Sequence, residues 1–346
     1  PVWESATSLL AMGEDRGDTN LYRLSVDASA APVAITSAPG SVVGFDAAAG
    51  TIATVRTFVD ATPELYVGDE RRTHIGADFS SDLLSWEKFT VPCTDGSDEI
   101  DVWVMRPADF DPDSTYPVLL NVHGGPYTQY GEYFFDEAQM QAAAGFVVVM
   151  GNPRGSSGRH THWGRSILGP KHTKYPGSGW GGVDVEAVLA IIDGALDRFP
   201  FCDRDRVGML GGSYGGFMAT WLAGHHGERF QAICSERAVN DLVNFEWESD
   251  IGTAFRTEHG PLYIDDVQAY ADHSPINKIR NIDTPMLIIH SEQDWRCPIG
   301  QAEQLWMGLR LLGKEVDFYR FPGENHELSR SGSAVHRVQR GEIILD

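Results

Sequence analysis

From about Trp86 to its C-terminus the sequence predicts an α/β fold, a mostly parallel sheet with helices on both faces. Three observations predict it. Short buried-strand runs alternate with helical segments along this whole stretch. One such alternation, Arg206–Ala219, compresses a strand, a glycine-rich turn and the start of a helix into a single motif. Loops rich in Gly, Asp and His follow the strands, at the carboxyl edge where sheets of this kind bind their ligands. A chain of 346 residues accommodates one large domain and a smaller piece, and 42% hydrophobic residues are enough for a buried core.

Residues 1–84 read differently, as short strands punctuated by Gly, Pro, Asp and Ser with little helical periodicity. A faint repeat runs through them. Ser8-Leu9-Leu10-Ala11-Met12 is echoed by Thr51-Ile52-Ala53-Thr54-Val55, and Leu21-Tyr22 by Leu65-Tyr66. That offset, about 43–44 residues, is within the ~40–45 of one four-stranded propeller blade. An ordinary β-meander accounts for it equally well. Two blades cannot close a propeller, so on the propeller reading this all-β segment is its C-terminal end and most blades precede Pro1. The chain starts without an initiator methionine, and is therefore expected to be a fragment or a processed product.

The second unit is expected over residues 85–346. Glu87–Pro92 and Ile100–Arg106 are two strands joined by a polar turn, and Pro117–Val122 is a buried strand ending in His123-Gly124-Gly125-Pro126. A helix over Asp136–Ala144 leads to the strand Phe146–Met150. Val183–Phe199 places Val185, Val188, Leu189, Ile192 and Leu196 on one helical face. The strand Val207–Leu210, a helix over Phe217–Ala223 and the strand Ala232–Cys234 come next, before a looser excursion to about Arg280. Strand Pro285–His290, helix Gly300–Leu312, strand Val316–Phe321 and a helix from about Ser333 complete the pattern.

Gly211-Gly212-Ser213-Tyr214-Gly215 is the G-x-S-x-G elbow in the context it requires, strand before and helix after. The glycines are needed because side chains at Gly211 and Gly215 would collide with neighbouring backbone in so tight a turn. Such a bend exposes the Ser213 hydroxyl beside a helix N-terminus, where developing negative charge is favoured. A serine hydroxyl is a weak nucleophile and needs a base oriented by an acid, which in this arrangement follow in the order serine, acid, histidine. His326 lies in a loop directly after a strand, whereas His336 belongs to the final helical pattern and reads as a surface residue. Asp294 lies in the loop after the buried strand ending at His290, with Glu292 as the reserve acid. Asp317 sits inside a strand and Asp283 before one. The expected set is Ser213 as nucleophile, His326 as base then acid, and Asp294 as its orienting partner. Oxyanion donors are expected from the Tyr214 N–H and from the His123–Pro126 loop.

A net charge of −22 argues against nucleic acid or an anionic membrane as partner, and no apolar run approaches the ~20 residues of a membrane span. Cys93, Cys202, Cys234 and Cys297 are scattered, without a C-x-x-C pair. In a chain this size they read as free thiols in a reducing cytoplasm, rather than as a disulfide framework or zinc site. No metal site is expected from His160, His162 and His172, because no carboxylate or cysteine pattern accompanies them.

The sequence resembles the prolyl oligopeptidase family of serine peptidases, and most its acylaminoacyl-peptidase branch, from about Trp86 to the end. The resemblance is carried by His123-Gly124-Gly125-Pro126, Asn152-Pro153-Arg154-Gly155-Ser156, Gly211–Gly216, Ser249-Asp250-Ile251-Gly252, Ser291–Pro298 and Phe321–Glu327. It implies an α/β-hydrolase domain capped by an N-terminal β-propeller, and cleavage of short or N-acylated peptides without a cofactor. It places Gly125 and Tyr214 at the oxyanion positions and Arg237 near the substrate pocket. Arg237 would there bind a carbonyl or carboxylate, or form a structural salt bridge. Arg159-His160-Thr161-His162 departs from the family pattern, and Leu168–Gly179 is a local variation without an assigned role. Carboxypeptidase-like or esterase activity on the same residues, and a non-catalytic interaction role for the β segment, are the competing functions. A peptide is the expected partner, with homo-oligomerisation left open.

Overall fold

The structure is a computed structural model that describes residues 1–37, 39–78 and 82–346. Residues 38 and 79–81, which fall in the expected all-β segment, lie outside the described residues. That segment comprises β1 (Val2–Trp3), β2 (Ser8–Asp15), β3 (Asp18–Ser25), β4 (Val33–Ala34), β5 (Ser41–Ala48), β6 (Thr51–Phe58), β7 (Ala61–Val67) and β8 (Glu70–Arg71). It forms two antiparallel meanders, β1–β4 and β5–β8, joined by a parallel bridge between Thr19 and Ser41. The residues that echo one another occupy equivalent strands: Ser8–Met12 opens β2 as Thr51–Val55 opens β6, and Leu21-Tyr22 lies in β3 as Leu65-Tyr66 lies in β7. Leu10, Leu21 and Val42 form their small core.

The tip of the β2–β3 hairpin ties this segment to the larger unit. The Arg16 guanidinium lies 2.7 Å from the buried carboxylate of Asp101, the Gly17 N–H donates to Gln129 (2.9 Å), and Lys88 donates to the Arg16 carbonyl (2.6 Å). Asp101 also receives Arg159 (3.0 Å), whose other arm reaches Asp98 (2.8 Å). The departure at Arg159-His160 is thus part of the junction: His160 Nε2 lies 3.0 Å from the same Asp98.

The second sheet contains β9 (Trp86–Pro92), β10 (Glu99–Met105), β11 (Tyr116–Val122), β12 (Val147–Gly151), β13 (Cys202–Gly212), β14 (Ala232–Glu236), β15 (Met286–Ser291) and β16 (Val316–Phe321). Their spatial order is β16-β15-β14-β13-β11-β12-β10-β9. Only the pairings of β9 with β10 and of β10 with β12 are antiparallel; the other five are parallel. The helices are α1 (Asp136–Ala143), α2 (Thr161–Arg165), α3 (Val183–Arg198), α4 (Tyr214–His226), α5 (Leu242–Glu248), α6 (Gly252–His259), α7 (Val267–His273), α8 (Gly300–Leu311), α9 (Leu328–Ser331) and α10 (Ala334–Leu345).

Because successive strand residues face opposite sides, β12 serves two cores. Val147 and Val149 share a core with Val188 and Ile192 of α3, while Val148 and Met150 share one with Ala138 and Ala142 of α1. A strand covered on both faces reads as an unbroken apolar run, as β12 does. The excursion read as loose is largely helical, α5 to α7. These helices are short, and α6 buries little beyond Phe255 and His259, so no long apolar periodicity announces them.

Candidate active site

Val207–Leu210 lies within β13, and α4 starts at Tyr214, leaving Ser213 alone at the bend with φ 62° and ψ −117°. Such a backbone costs a non-glycine residue of order 1–3 kcal/mol and persists only where the surroundings impose it. Here the Ser213 N–H donates to the Glu236 carbonyl (3.0 Å), and the Ser213 carbonyl accepts from Phe217 (2.9 Å). A Cβ on Gly211 would lie 2.4 Å from the Gly215 carbonyl oxygen, and one on Gly215 2.1 Å from that of Val122 in β11. Gly215→Ala is therefore expected to cost about 3 kcal/mol, an overpacking penalty against backbone that cannot rotate away. A shift in the denaturant midpoint measures it.

His326 and Asp294 come from the loops after β16 and β15, adjacent parallel strands, and so reach the same edge. His326 Nδ1 lies 2.8 Å from Asp294 Oδ2. The other oxygen, Oδ1, accepts the backbone N–H groups of Arg296 (2.9 Å) and Cys297 (2.8 Å), which fixes the carboxylate in rotation. The reserve acid Glu292 and the groups passed over lie elsewhere. Glu292 pairs with Arg320 (3.1 Å), Asp283 with Lys314 (2.5 Å), Asp317 is exposed on β16, and His336 lies 2.7 Å from Glu324. Ser213 and His326 line one cavity of about 1100 Å3, together with Gly125, Tyr214 and Arg237.

The His123–Pro126 loop lies against the elbow: a Cβ on Gly124 would be 3.0 Å from the Gly212 carbonyl oxygen and 3.3 Å from Ser213 Cβ. Gly125 has φ +112°, a conformation that favours glycine. His123 braces the loop, with Nδ1 2.7 Å from the Gly124 carbonyl and Nε2 2.9 Å from Ser156 Oγ. Burial pulls its pKa down to about 4, so the ring is neutral at physiological pH.

Sequence reasoning missed several supporting groups. Asp184, in the first turn of α3 and fully buried, accepts the Tyr214 hydroxyl (2.5 Å) and the Gly181 and Val185 N–H groups (3.0 Å each). Burial raises its pKa, and these donors work the other way. Its contacts anchor the residue next to Ser213. An acid next to the apolar face of the predicted helix was the available signal. His290, at the end of β15, places Nε2 2.7 Å from the Cys297 carbonyl and 3.5 Å from Asp294 Oδ2. Burial lowers its pKa, which keeps the ring neutral beside Asp294.

Arg237 is paired, with φ 37° and a guanidinium nitrogen 2.9 Å from Glu236 Oε1. Glu236 in turn takes Arg340 from α10 through both oxygens (2.6 Å each), and Arg340 also reaches Glu137 (2.9 Å). Burial alone would raise the Glu236 pKa; Arg237 and Arg340 overcome it and hold it at about 2. Arg237 Nε is buried and has no hydrogen-bond partner among the described residues. The salt-bridge alternative is thus realised through one guanidinium nitrogen.

Comparison with known proteins agrees with this architecture. Residues 132–342 match the model of the prolyl oligopeptidase family. The uncharacterized peptidase YuxL of Bacillus subtilis (strain 168) is 34% identical over 356 residues, covering 99% of this chain and 52% of that protein. Dipeptidyl-peptidase 5 of Porphyromonas gingivalis is 31% identical over 264 residues, 74% of this chain and 37% of that protein. Among solved structures, acylaminoacyl peptidase of Pyrococcus horikoshii superposes with a TM-score of 0.88 at 29% identity, covering 98% of this chain and 53% of that one. The chain thus spans about half the length of the Bacillus and Pyrococcus proteins. With more than half of its residues inside the family match and a relative aligned along almost all of it, this chain belongs to the prolyl oligopeptidase family of serine peptidases.

Proposed function

We propose that the chain hydrolyses short or N-acylated peptides through an acyl-enzyme on Ser213. The observation that carries this reading is the buried Asp294–His326 pair, whose imidazole lines the same cavity as a serine held at an elbow. His326 takes the Ser213 proton as the hydroxyl attacks the scissile carbonyl, and Asp294 holds the Nδ1–H and stabilises the imidazolium. The N–H groups of Tyr214 and Gly125 receive the oxyanion; losing one such donor typically costs ~10²–10³ in turnover. His326 then protonates the leaving amine, and water, activated by the same imidazole, releases the acyl group.

The short-peptide substrate class is supported by similarity to an acylaminoacyl peptidase and to dipeptidyl-peptidases 5. That Arg237 lines the cavity beside Ser213 favours a second reading, in which its guanidinium binds a substrate carboxylate in carboxypeptidase fashion. Peptides blocked at either end separate the two. Cleavage of N-acetylated and C-amidated peptides alike is expected, whereas loss of cleavage only for the C-amidated set establishes the carboxypeptidase mode. A fluorophosphonate probe is expected to label Ser213 in the intact chain, and absence of labelling overturns both.

A further inference from the structure

The cavity beside Ser213 has two chemically different ends. One is ionic, built from Arg237, Arg340, Glu236 and Glu137. The other is aromatic. The Trp180 ring centroid lies 5.0 Å from that of Tyr214 and 5.4 Å from that of Phe255, which in turn packs 5.0 Å from Phe245. Tyr214 follows the nucleophile directly, so the aromatic end lies beside Ser213.

One carboxylate stands in this aromatic wall. Glu258 follows Phe255 by three residues on α6, which puts both on one helix face, and both line the cavity. Its carboxyl interacts with the Tyr127 hydroxyl, from a residue two positions beyond Gly125. Among the described residues no lysine, arginine or histidine forms a salt bridge with it, in contrast to Glu236 with its two guanidinium groups. Burial pushes the Glu258 pKa up to about 7. A half-buried carboxylate with no cation paired to it is costly unless an occupant brings the opposite charge.

We propose that Glu258 makes the aromatic end a pocket for a basic side chain, lysine or arginine, on the acyl side of the cleaved bond. The alkyl stem of such a side chain lies along the rings, and its cation meets Glu258 with aromatic faces beside it. This rests on the reading of Ser213 as the nucleophile. An apolar pocket alone discriminates weakly between side chains of equal length, while a site with an unmatched polar group discriminates strongly.

The test compares N-acetylated peptide amides carrying lysine or its uncharged near-isostere norleucine at the acyl position. The lysine-to-norleucine ratio of kcat/KM is expected to exceed one in the wild type and to fall ~10-fold or more in Glu258→Gln. Both substrates are read on the same preparation, so a loss of folded protein cancels in the ratio. A ratio unchanged by the substitution overturns the proposal. So does a Glu258→Gln defect confined to dipeptide substrates with a free α-amine, which assigns the carboxylate to the substrate N-terminus instead. Calorimetric binding of N-acetyl-lysine and N-acetyl-norleucine to the Ser213→Ala chain supplies the same ratio without turnover. If no peptide is cleaved at all, the proposed function fails, and the binding ratio, with and without Glu258→Gln, still decides the pocket by the same criterion.

Discussion

Ser213→Ala is expected to lower kcat by ~10⁶-fold and Asp294→Asn by ~10⁴-fold, with little further loss when Ser213→Ala is combined with His326→Ala. These magnitudes follow from the behaviour of residues that act as one unit, where removing any essential member forfeits most of the joint effect. The geometry here explains why Asp294→Asn costs so much although the side chain keeps its shape. Oδ1 is held by two backbone N–H groups, so an asparagine amide oxygen occupies that place and its NH₂ turns toward His326. A donor facing Nδ1 selects the tautomer with hydrogen on Nε2, which cannot accept the Ser213 proton. Steady-state turnover of an acetylated peptide measures both variants, and the rate of fluorophosphonate labelling isolates the nucleophile from deacylation. Equal turnover in Asp294→Asn and wild type would remove Asp294 from the mechanism.

Which parts of this arrangement were legible in the sequence depends on the range of the interactions that make them. Strands such as β12, covered on both faces, are written as apolar runs of four or five residues. The elbow is written in glycines whose absent side chains are required by backbone within 2.5 Å. The positions of Ser213, Asp294 and His326 follow from chain order and from loops at strand ends, both local readings. The ionic cluster is not local. Arg340 lies 104 residues from Glu236 and 203 from Glu137, and nothing around any of them distinguishes it from a surface charge. Asp184 shows in the sequence only as an acid beside the apolar face of a predicted helix, and the arrival of Tyr214 explains its burial. Glu258 was hidden for another reason: α6 is short and polar, and only its packing against Trp180 and Phe245 turns one face toward the cavity.

Glu236→Gln is expected to destabilise the chain by ~3–5 kcal/mol, the usual consequence of removing one partner from a buried ion pair. Glutamine keeps the volume of the side chain, so the loss reports charge rather than a cavity. Arg340 would retain Glu137, whereas Arg237 would lose the only carboxylate with which it forms a salt bridge among the described residues, at a position where its backbone is already left-handed. The pH dependence has a definite sign. Glu236 is held at about 2 in the folded chain, against ~4.3 for an unperturbed glutamate. Between these values the unfolded state binds more protons, so stability rises with pH. The Glu236 contribution is complete above about pH 5 and is lost as the pH falls through 4 toward 2. Denaturant midpoints taken between pH 3 and 7 are expected to converge for wild type and Glu236→Gln at the acid end and to separate toward neutrality. Identical midpoints across that range would mean that the two guanidinium groups do not depend on this carboxylate. Because the Glu236 carbonyl also receives the Ser213 N–H, a destabilised Glu236 loosens the bend that presents the nucleophile. Loss of labelling at Ser213 is therefore expected to precede global unfolding in Glu236→Gln as denaturant is raised.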